Sequence, residues 1–505
     1  MRPLSELLTG ETVALSAGSK TADVKIGGLT ADSRDVRDGF LFAALPGVKL
    51  DGRRFIPDAI AKGAAAILAP TGTDAPDIVV GRAEGENKPA RPFGFVTDDN
   101  PRRKLALMAA RFYGAQPDNV VAVTGTNGKS SVVSFTRQIW ALMGVDGASL
   151  GTLGLQSAKL KTGGSLTTPD PVALHRTLAE LKVAGVEHVA LEASSHGLAQ
   201  YRLDGLALAA AAFTNLTRDH LDYHGDEDSY FAAKARLFAD ILPEGGVAVL
   251  NADELRFEEL RAICAARGQR VLGFGEKGKD IRLDILDVLP DGQRVSFAVA
   301  GEYAEAKLPL VGHFQAMNVA CALGLVIAAG GSARAALATL ERLDGVDGRM
   351  QLAARHPAGA AVYVDYAHTP DALANVLGAL RPHTSGRLMV VFGCGGDRDP
   401  GKRPQMGRIA SELADVVIVT DDNPRSEEPA AIRRAVLAGA AQGKPLEIAD
   451  RAEAIFAAVD MMRSGDVLVL AGKGHEQGQI VGATTIPFND ADEARKAVAR
   501  LGGRA

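Results

Sequence analysis

Residues Val121–Ser131 read VAVTGTNGKSS, a buried-strand run, a glycine turn and the opening of a helix. Gly125 and Gly128 let backbone N–H groups face an anion, and the helix start adds its partial positive charge. Lys129 would reach the outer phosphates of a nucleotide, and the Ser130 hydroxyl would hold Mg2+. The usual pattern, G-x-x-x-x-G-K-[ST], has a glycine where this chain has Val123. A plain glycine turn into a helix is the alternative reading. The strand–turn–helix context favours binding of ATP or GTP.

A second group follows the run AAAFTNL, where RDHLDYHG sets His220, Asp222 and His224 close together. Zinc is one reading of these residues, although no cysteine supports it. An oxygen-rich Mg2+ site is the other, and a neighbouring phosphate loop favours it. Other polar residues are ambiguous by themselves. Lys234, in DSYFAAKARLF, reads as a solvated helix lysine. Asn318, at the start of the apolar helix in GHFQAMNVACALGL, reads as a helix-terminal amide, and Arg349 as a charge between domains. Thr167 and Ser194 read as turn and cap residues.

The elements that must position these groups follow from the chain's patterning. A length of 505 residues suggests about three domains. Short apolar runs with Gly and Asp turns (FLFAAL, AAAILA, FGFVT) indicate a small α/β unit over residues 1–99. A central block, 100–345, carries NVVAVTG, HVALEAS, AAAFTNL and GVAVLNA as strands, then IRLDILDVLPDGQRVSFAVA as a hairpin turned at Pro-Asp-Gly. A third block, 346–505, alternates AVYVDYA, RLMVVFGCGG, DVVIVTDD and DVLVLAGKG with helical segments, the spacing of a mainly parallel, Rossmann-like sheet. Ligands bind beyond the carboxyl ends of such strands.

Composition narrows the partners. A net charge of −5 argues against a general nucleic-acid binder. Cys264, Cys321 and Cys394 are too widely spaced for a disulfide framework or a zinc knuckle, which suits a reducing compartment. Glu6 and Glu11 stand where a signal peptide would be apolar, and LALAAAAF is far short of a membrane span. The expectation is a cytoplasmic protein with small-molecule substrates and neither nucleic-acid nor membrane partners.

TGTNGKSS resembles the phosphate loop of the Mur ligases and folylpolyglutamate synthases, ATP-dependent amide-bond-forming enzymes in which the first glycine is usually missing. TTPDP, EASSHGL, FTNLTRDHLDYHG, YFAAKARLF, GHFQAMNVACA, DYAHTPDAL, GCGGDRDPGKRP, DNPRSEEP and AGKGHEQGQ come next, in the order found in Mur ligases that add the third peptide residue. The resemblance covers nearly the whole chain. It implies a UDP-substrate-binding first domain, a central ATP-binding ligase domain and a C-terminal amino-acid-binding domain, working as a monomer with ATP and Mg2+. It implies nucleotide contacts from Gly125, Thr126, Asn127, Gly128, Lys129, Ser130, Ser131, Asn318 and Arg349. Metal contacts would come from Ser130, Glu192, His220 and Lys234, the last as an N6-carboxylysine (carbamate). Lys129, His220 and Lys234 would be catalytic.

For the acceptor, UDP-N-acetylmuramoyl-L-alanyl-D-glutamate, the resemblance points to Ser33, Thr167, Thr168, Ser194, Gln200 and Arg202, with Val48–Leu50 on a second loop. That loop departs from the His-Gln-Ala of some relatives. For the incoming amino acid it points to Arg398, Asp422, Asn423, Pro424, Arg425, Gly472 and Glu476. The arginine in DNPR is the version found where meso-diaminopimelate, rather than lysine, is added.

The hexapeptide TDDNPR occurs twice, at Thr97–Arg102 and Thr420–Arg425. RKLALMAARFYG succeeds the first copy with helical spacing, which makes Asn100 an N-cap and Pro101 the first helical residue. SEEPAAIRRAV succeeds the second, and its proline delays the helix and leaves Arg425 in a loop. Only the second copy is expected at a site. The expected activity is an acyl-phosphate ligase adding meso-diaminopimelate. A lysine-adding ligase, a folylpolyglutamate synthase and a non-ligating ATPase switch are the alternatives.

Overall fold

The computed structural model describes residues 1–9, 14–15, 24–47, 50–75, 92–164, 166–217, 219–440 and 444–502. The chain divides into two compact units. The first holds Met1–Lys129, Gly144–Leu250 and Glu254–Leu272; the second holds Ser130–Met143, Asn251–Asp253 and Gly273–Ala505. Among the described residues, no helix is long and apolar enough to cross a membrane.

The first unit contains two sheets. In the smaller, Gly28–Thr30, Phe40–Ala43, Ala66–Pro70 and Gly94–Asp98 run parallel in that order, and Ala14–Leu15 pairs antiparallel with the last. Leu41, Ala43, Ala66 and Leu68 enter one core, while Phe42 and Ile67 enter another. This is the period-2 alternation of a sheet covered on both faces. In the larger sheet, Gly147–Gly151, His188–Glu192, Asn119–Thr124, Ala210–Phe213 and Val247–Asn251 are parallel neighbours. Glu192 lies opposite Val123, and Phe213 opposite Thr124, so three strands end together. Gly125, Ala193 and Thr214 therefore leave the sheet at one edge.

The second unit contains the expected hairpin, Ile281–Leu289 against Gly292–Val299, extended by Glu302–Leu308. Its main sheet has the order Gln351–Arg355, Ala361–Asp365, Val467–Ala471, Leu388–Phe392, Val416–Val419 and Leu446–Glu447. Only the first strand is antiparallel to its neighbour. Leu388, Val390 and Phe392 face one core, and Met389 and Val391 the other. Ala471 is level with both Asp365 and Phe392, and Phe392 with Val419. Loops starting at 366, 393, 420 and 472 thus emerge side by side, where a parallel sheet presents its ligand site.

Candidate functional site

The phosphate loop is braced by the chain segment just after strand Ala210–Phe213. Thr126 N–H donates to the Asn215 carbonyl (2.9 Å), Asn127 N–H donates to Asn215 Oδ1 (2.9 Å), and the Thr214 hydroxyl donates to the Asn127 carbonyl (2.6 Å). Gly125 has φ 143°, and a Cβ there would lie 1.9 Å from Thr214 Oγ1. No other residue fits so close an approach. Lys129 folds back over the loop, with Nζ donating to the Gly125 and Thr126 carbonyls at 2.8 Å each. Ser130 and Ser131 are buried in the first turn of helix Lys129–Leu142.

Lys234 belongs to helix Glu227–Arg236, as its sequence context indicates, but it is not solvated. It is 1% exposed, its Nζ donates to the Gly125 carbonyl (2.7 Å), and it lies 4.3 Å from the centre of the Tyr230 ring. Gly125 thus receives hydrogen bonds from two lysines. Burial first, and then repulsion from Lys129, hold the Lys234 amine well below the usual lysine range. A neutral amine is the form that reacts with CO2.

Glu192 is buried at the end of its strand. Its Oε1 accepts from Thr152 N–H (2.8 Å) and its Oε2 from the Thr152 hydroxyl (3.1 Å), so both oxygens are oriented. His220 adopts φ 53° and packs edge-on against His196, ring centres 4.9 Å apart. Burial, with repulsion from His220 and His224, lowers His196 to about 4, so it is neutral at pH 7. Among the described residues, no three His, Cys, Asp or Glu side chains converge as a metal-binding group. This gives the zinc reading of His220, Asp222 and His224 no support.

The residues expected at the acceptor in the central region are joined in a network. The Thr168 hydroxyl donates to the Glu192 carbonyl (2.8 Å), accepts from Ser194 N–H (2.9 Å) and meets the Ser194 hydroxyl (3.0 Å). The Thr167 hydroxyl meets that of Thr152 (3.0 Å). Arg202 donates to the Thr168 carbonyl (2.7 Å) and to Gln200 Oε1 (2.8 Å), and Gln200 donates to the Tyr223 hydroxyl (3.2 Å). Ser194 also caps its short helix through Gly197 N–H, so its cap role and its place in the network coexist. Ser33 lies elsewhere, after strand Gly28–Thr30, where its carbonyl accepts from Lys62 Nζ (2.7 Å). Val48 and Lys49 of the second expected loop fall outside the described residues.

Asn318 requires a correction. It lies in the second turn of helix His313–Ala328, not at its start, because Gly312, at φ 90°, sets the N-terminus earlier. Its amide is buried and donates to Gln315 Oε1 (3.0 Å), and Gln315 donates to the Arg349 carbonyl (3.1 Å). Gln315 thus links two residues that sequence patterning leaves unconnected. The Arg349 guanidinium covers the Tyr366 ring at 4.8 Å.

The residues expected to take the incoming amino acid gather on the loops at the edge of the second unit's sheet. Asn423 is buried; its amide nitrogen donates to Glu476 Oε2 (2.8 Å), while Oδ1 accepts from Lys473 Nζ (3.0 Å) and Ile480 N–H (2.9 Å). Gly472 has φ 117°, and a Cβ there would reach within 2.5 Å of Asp422 Oδ2. The 393–400 and 420–428 loops are laced together. Gly396 N–H donates to the Asn423 carbonyl (2.9 Å), Arg425 Nη1 to the Gly396 carbonyl (2.8 Å), and Asp397 N–H to Glu427 (2.7 Å). Pro424 is buried between them, whereas Arg398 is exposed. Arg425 is left-handed, at φ 52°. Lys473 carries no signal in the sequence, where it lies unremarked between Gly472 and Glu476.

Three family models match the chain: Mur ligase family, catalytic domain, over 25–113; Mur ligase middle domain, over 123–326; and Mur ligase, glutamate ligase domain, over 348–474. A curated UDP-N-acetylmuramoyl-L-alanyl-D-glutamate--2,6-diaminopimelate ligase of Rhizobium meliloti (strain 1021) is 51% identical over 500 residues, 99% of this chain and 100% of that protein. A solved structure of a ligase of the same name aligns with TM-score 0.70 and 32% identity over 99% of each chain. MurF ligase from Thermotoga maritima, solved in complex with ADP, shares the fold at 19% identity, with TM-score 0.59 over 95% of this chain and 98% of that one. Half the residues are unchanged along almost the entire length of a curated relative, and the chain belongs to the Mur ligase family.

Proposed function

We propose that this protein is an ATP-dependent ligase joining meso-2,6-diaminopimelate to UDP-N-acetylmuramoyl-L-alanyl-D-glutamate for peptidoglycan synthesis. The observation that carries the reading is full-length 51% identity to a ligase of that name. ATP gives its γ-phosphoryl group to the D-glutamyl carboxylate, the amine of the incoming amino acid attacks the acyl phosphate, and phosphate leaves. Lys129 and the loop N–H groups stabilise the transferred charge. Thr167, Thr168, Ser194, Gln200 and Arg202 position the muramoyl peptide, with Ser33 and the 48–50 loop on the uridine end. Asn318 and Arg349 hold the nucleotide.

Ser130, Glu192, His220 and Lys234, as a carbamate, are the residues proposed to hold Mg2+, which would supply neutralisation of phosphate charge when bound. The depressed Lys234 pKa supports the carbamate, because burial and Lys129 both favour the neutral amine. Arg425 is the proposed partner of the distal carboxylate of diaminopimelate, with Arg398, Asp422, Asn423, Pro424, Gly472 and Glu476 completing the pocket. An arginine fork grips a carboxylate through two parallel bonds. We divide the chain into domains at 1–99, 100–345 and 346–505. We place it in the cytoplasm as a monomer; its three cysteines are buried and unpaired, which suits a reducing compartment.

Substrate-dependent phosphate release tests the function. Release should require the UDP-muramoyl dipeptide and diaminopimelate together. Release with folate and glutamate, or with ATP alone, would overturn it.

A further inference from the structure

Lys473 has no place in the chemistry above, yet no part of it reaches solvent. It lies two residues past the end of strand Val467–Ala471. Its Nζ donates to Asn423 Oδ1 (3.0 Å) and Glu476 Oε2 (3.1 Å). These contacts fix which way the Asn423 amide points. Oδ1 faces two donors, Lys473 Nζ and Ile480 N–H, and Nδ2 faces the Glu476 carboxylate. A flipped amide would set its NH2 against both donors and its oxygen against the carboxylate.

The network continues beyond Asn423. Ile480 lies in the hairpin Gly478–Val481 with Thr484–Pro487. Its N–H is held by Asn423, and its carbonyl accepts from Arg425 N–H (3.0 Å). Two residues on, Gly482 N–H donates to the Arg425 carbonyl (2.7 Å). Both backbone groups of Arg425 are therefore held by the hairpin, at the φ of 52° that a residue with a side chain resists. Val481 and Ile486 of the hairpin are exposed, so little apolar burial fixes the hairpin there. Polar contacts hold it instead, and those through Asn423 begin at Lys473.

We infer that Lys473 is a positioning residue for amino-acid selectivity, orienting Asn423 and Glu476 directly and Arg425 through the Ile480 hairpin. The inference rests on the proposed grip of Arg425 on the distal carboxylate of the substrate. It predicts that selectivity is set partly by a side chain with no exposed surface.

The test compares Lys473→Met, Ile480→Pro and Arg425→Ala in the full-length enzyme. Ile480→Pro removes the N–H that meets Asn423 and leaves buried Lys473 in place. For Lys473→Met, KM for diaminopimelate should rise about tenfold, the scale of a hydrogen bond to a charged group. Its advantage over lysine should shrink, while KM for ATP and the melting temperature stay near wild type. Ile480→Pro should shrink the same ratio, and Lys473→Met should add little to Arg425→Ala. An unchanged ratio in Lys473→Met, or a parallel rise in every KM with a lowered melting temperature, overturns the inference. If Lys473→Met does not fold, Ile480→Pro decides, and an unchanged ratio there counts equally against it. If Arg425→Ala itself leaves the ratio intact, the reading of the pocket fails instead.

Discussion

Thr97–Arg102 and Thr420–Arg425 share six residues and almost nothing else. In the first copy Asp98 ends a strand, its carboxylate accepts from Asn100 N–H (2.7 Å), and Asn100 Oδ1 accepts from Arg103 N–H (3.1 Å). Helix Pro101–Tyr113 starts at once. In the second copy the strand ends at Val419 and the next helix waits until Pro429. Here Asn423 turns its oxygen to Lys473 and Ile480, residues 50 and 57 positions away. The same asparagine is a helix cap in one place and the hub of a long-range hydrogen-bond network in the other. The residues on the C-terminal side of the hexapeptide make the difference, because a helix can claim the amide only if it begins within reach.

The largest effect expected tests the rate without touching either copy. Lys129→Ala should lower kcat by roughly 10³-fold and leave the melting temperature unchanged, because the residue stabilises transferred charge rather than a core. The ratio of diaminopimelate to lysine should not move. A changed ratio would mean that selectivity is not confined to the second copy.

Arg425→Ala comes next. It should reduce kcat/KM for diaminopimelate by about 10²-fold and narrow its advantage over lysine, since lysine has no distal carboxylate for the half-buried Arg425 to pair with. Steady-state rates with both amino acids decide this, and equal wild-type rates would remove the distinction between the copies. Asn100→Ala should act on stability alone, by about 1 kcal/mol for a lost cap, with the ratio intact. Denaturant melts measure it. The smallest effect belongs to Arg102→Ala. Its guanidinium donates to the Pro46 carbonyl, beside the proposed uridine loop. KM for the UDP substrate should rise about threefold, the low end for an exposed hydrogen bond, and KM for diaminopimelate should hold.

Local signals made much of the fold legible in the chain. Apolar runs located the strands, and Asn100-Pro101 and Pro429 located two helix starts, because each depends on neighbours in sequence. The phosphate loop was legible for the same reason. The burial of Lys234 was not legible from its helix, since it comes from docking on Gly125, 109 residues away. Asn318 was misplaced because the apolar run hid the earlier start at Gly312. Lys473 and Gln315 left no signal. A lysine beside glycines and a glutamine in a helix look solvated until distant partners are known.

With the role proposed for Arg425, its left-handed backbone would set folding and selectivity against each other at one position. Glycine and asparagine adopt that conformation most readily, whereas arginine gives up about 1 kcal/mol there. Variants selected for folding alone should therefore drift to Gly or Asn at 425. A population under selection for substrate choice should keep returning to Arg. On the proposed role of Arg425, loss of the arginine would be easy to fix and hard to reverse once lysine suffices, which would make the position a one-way gate between two substrate preferences.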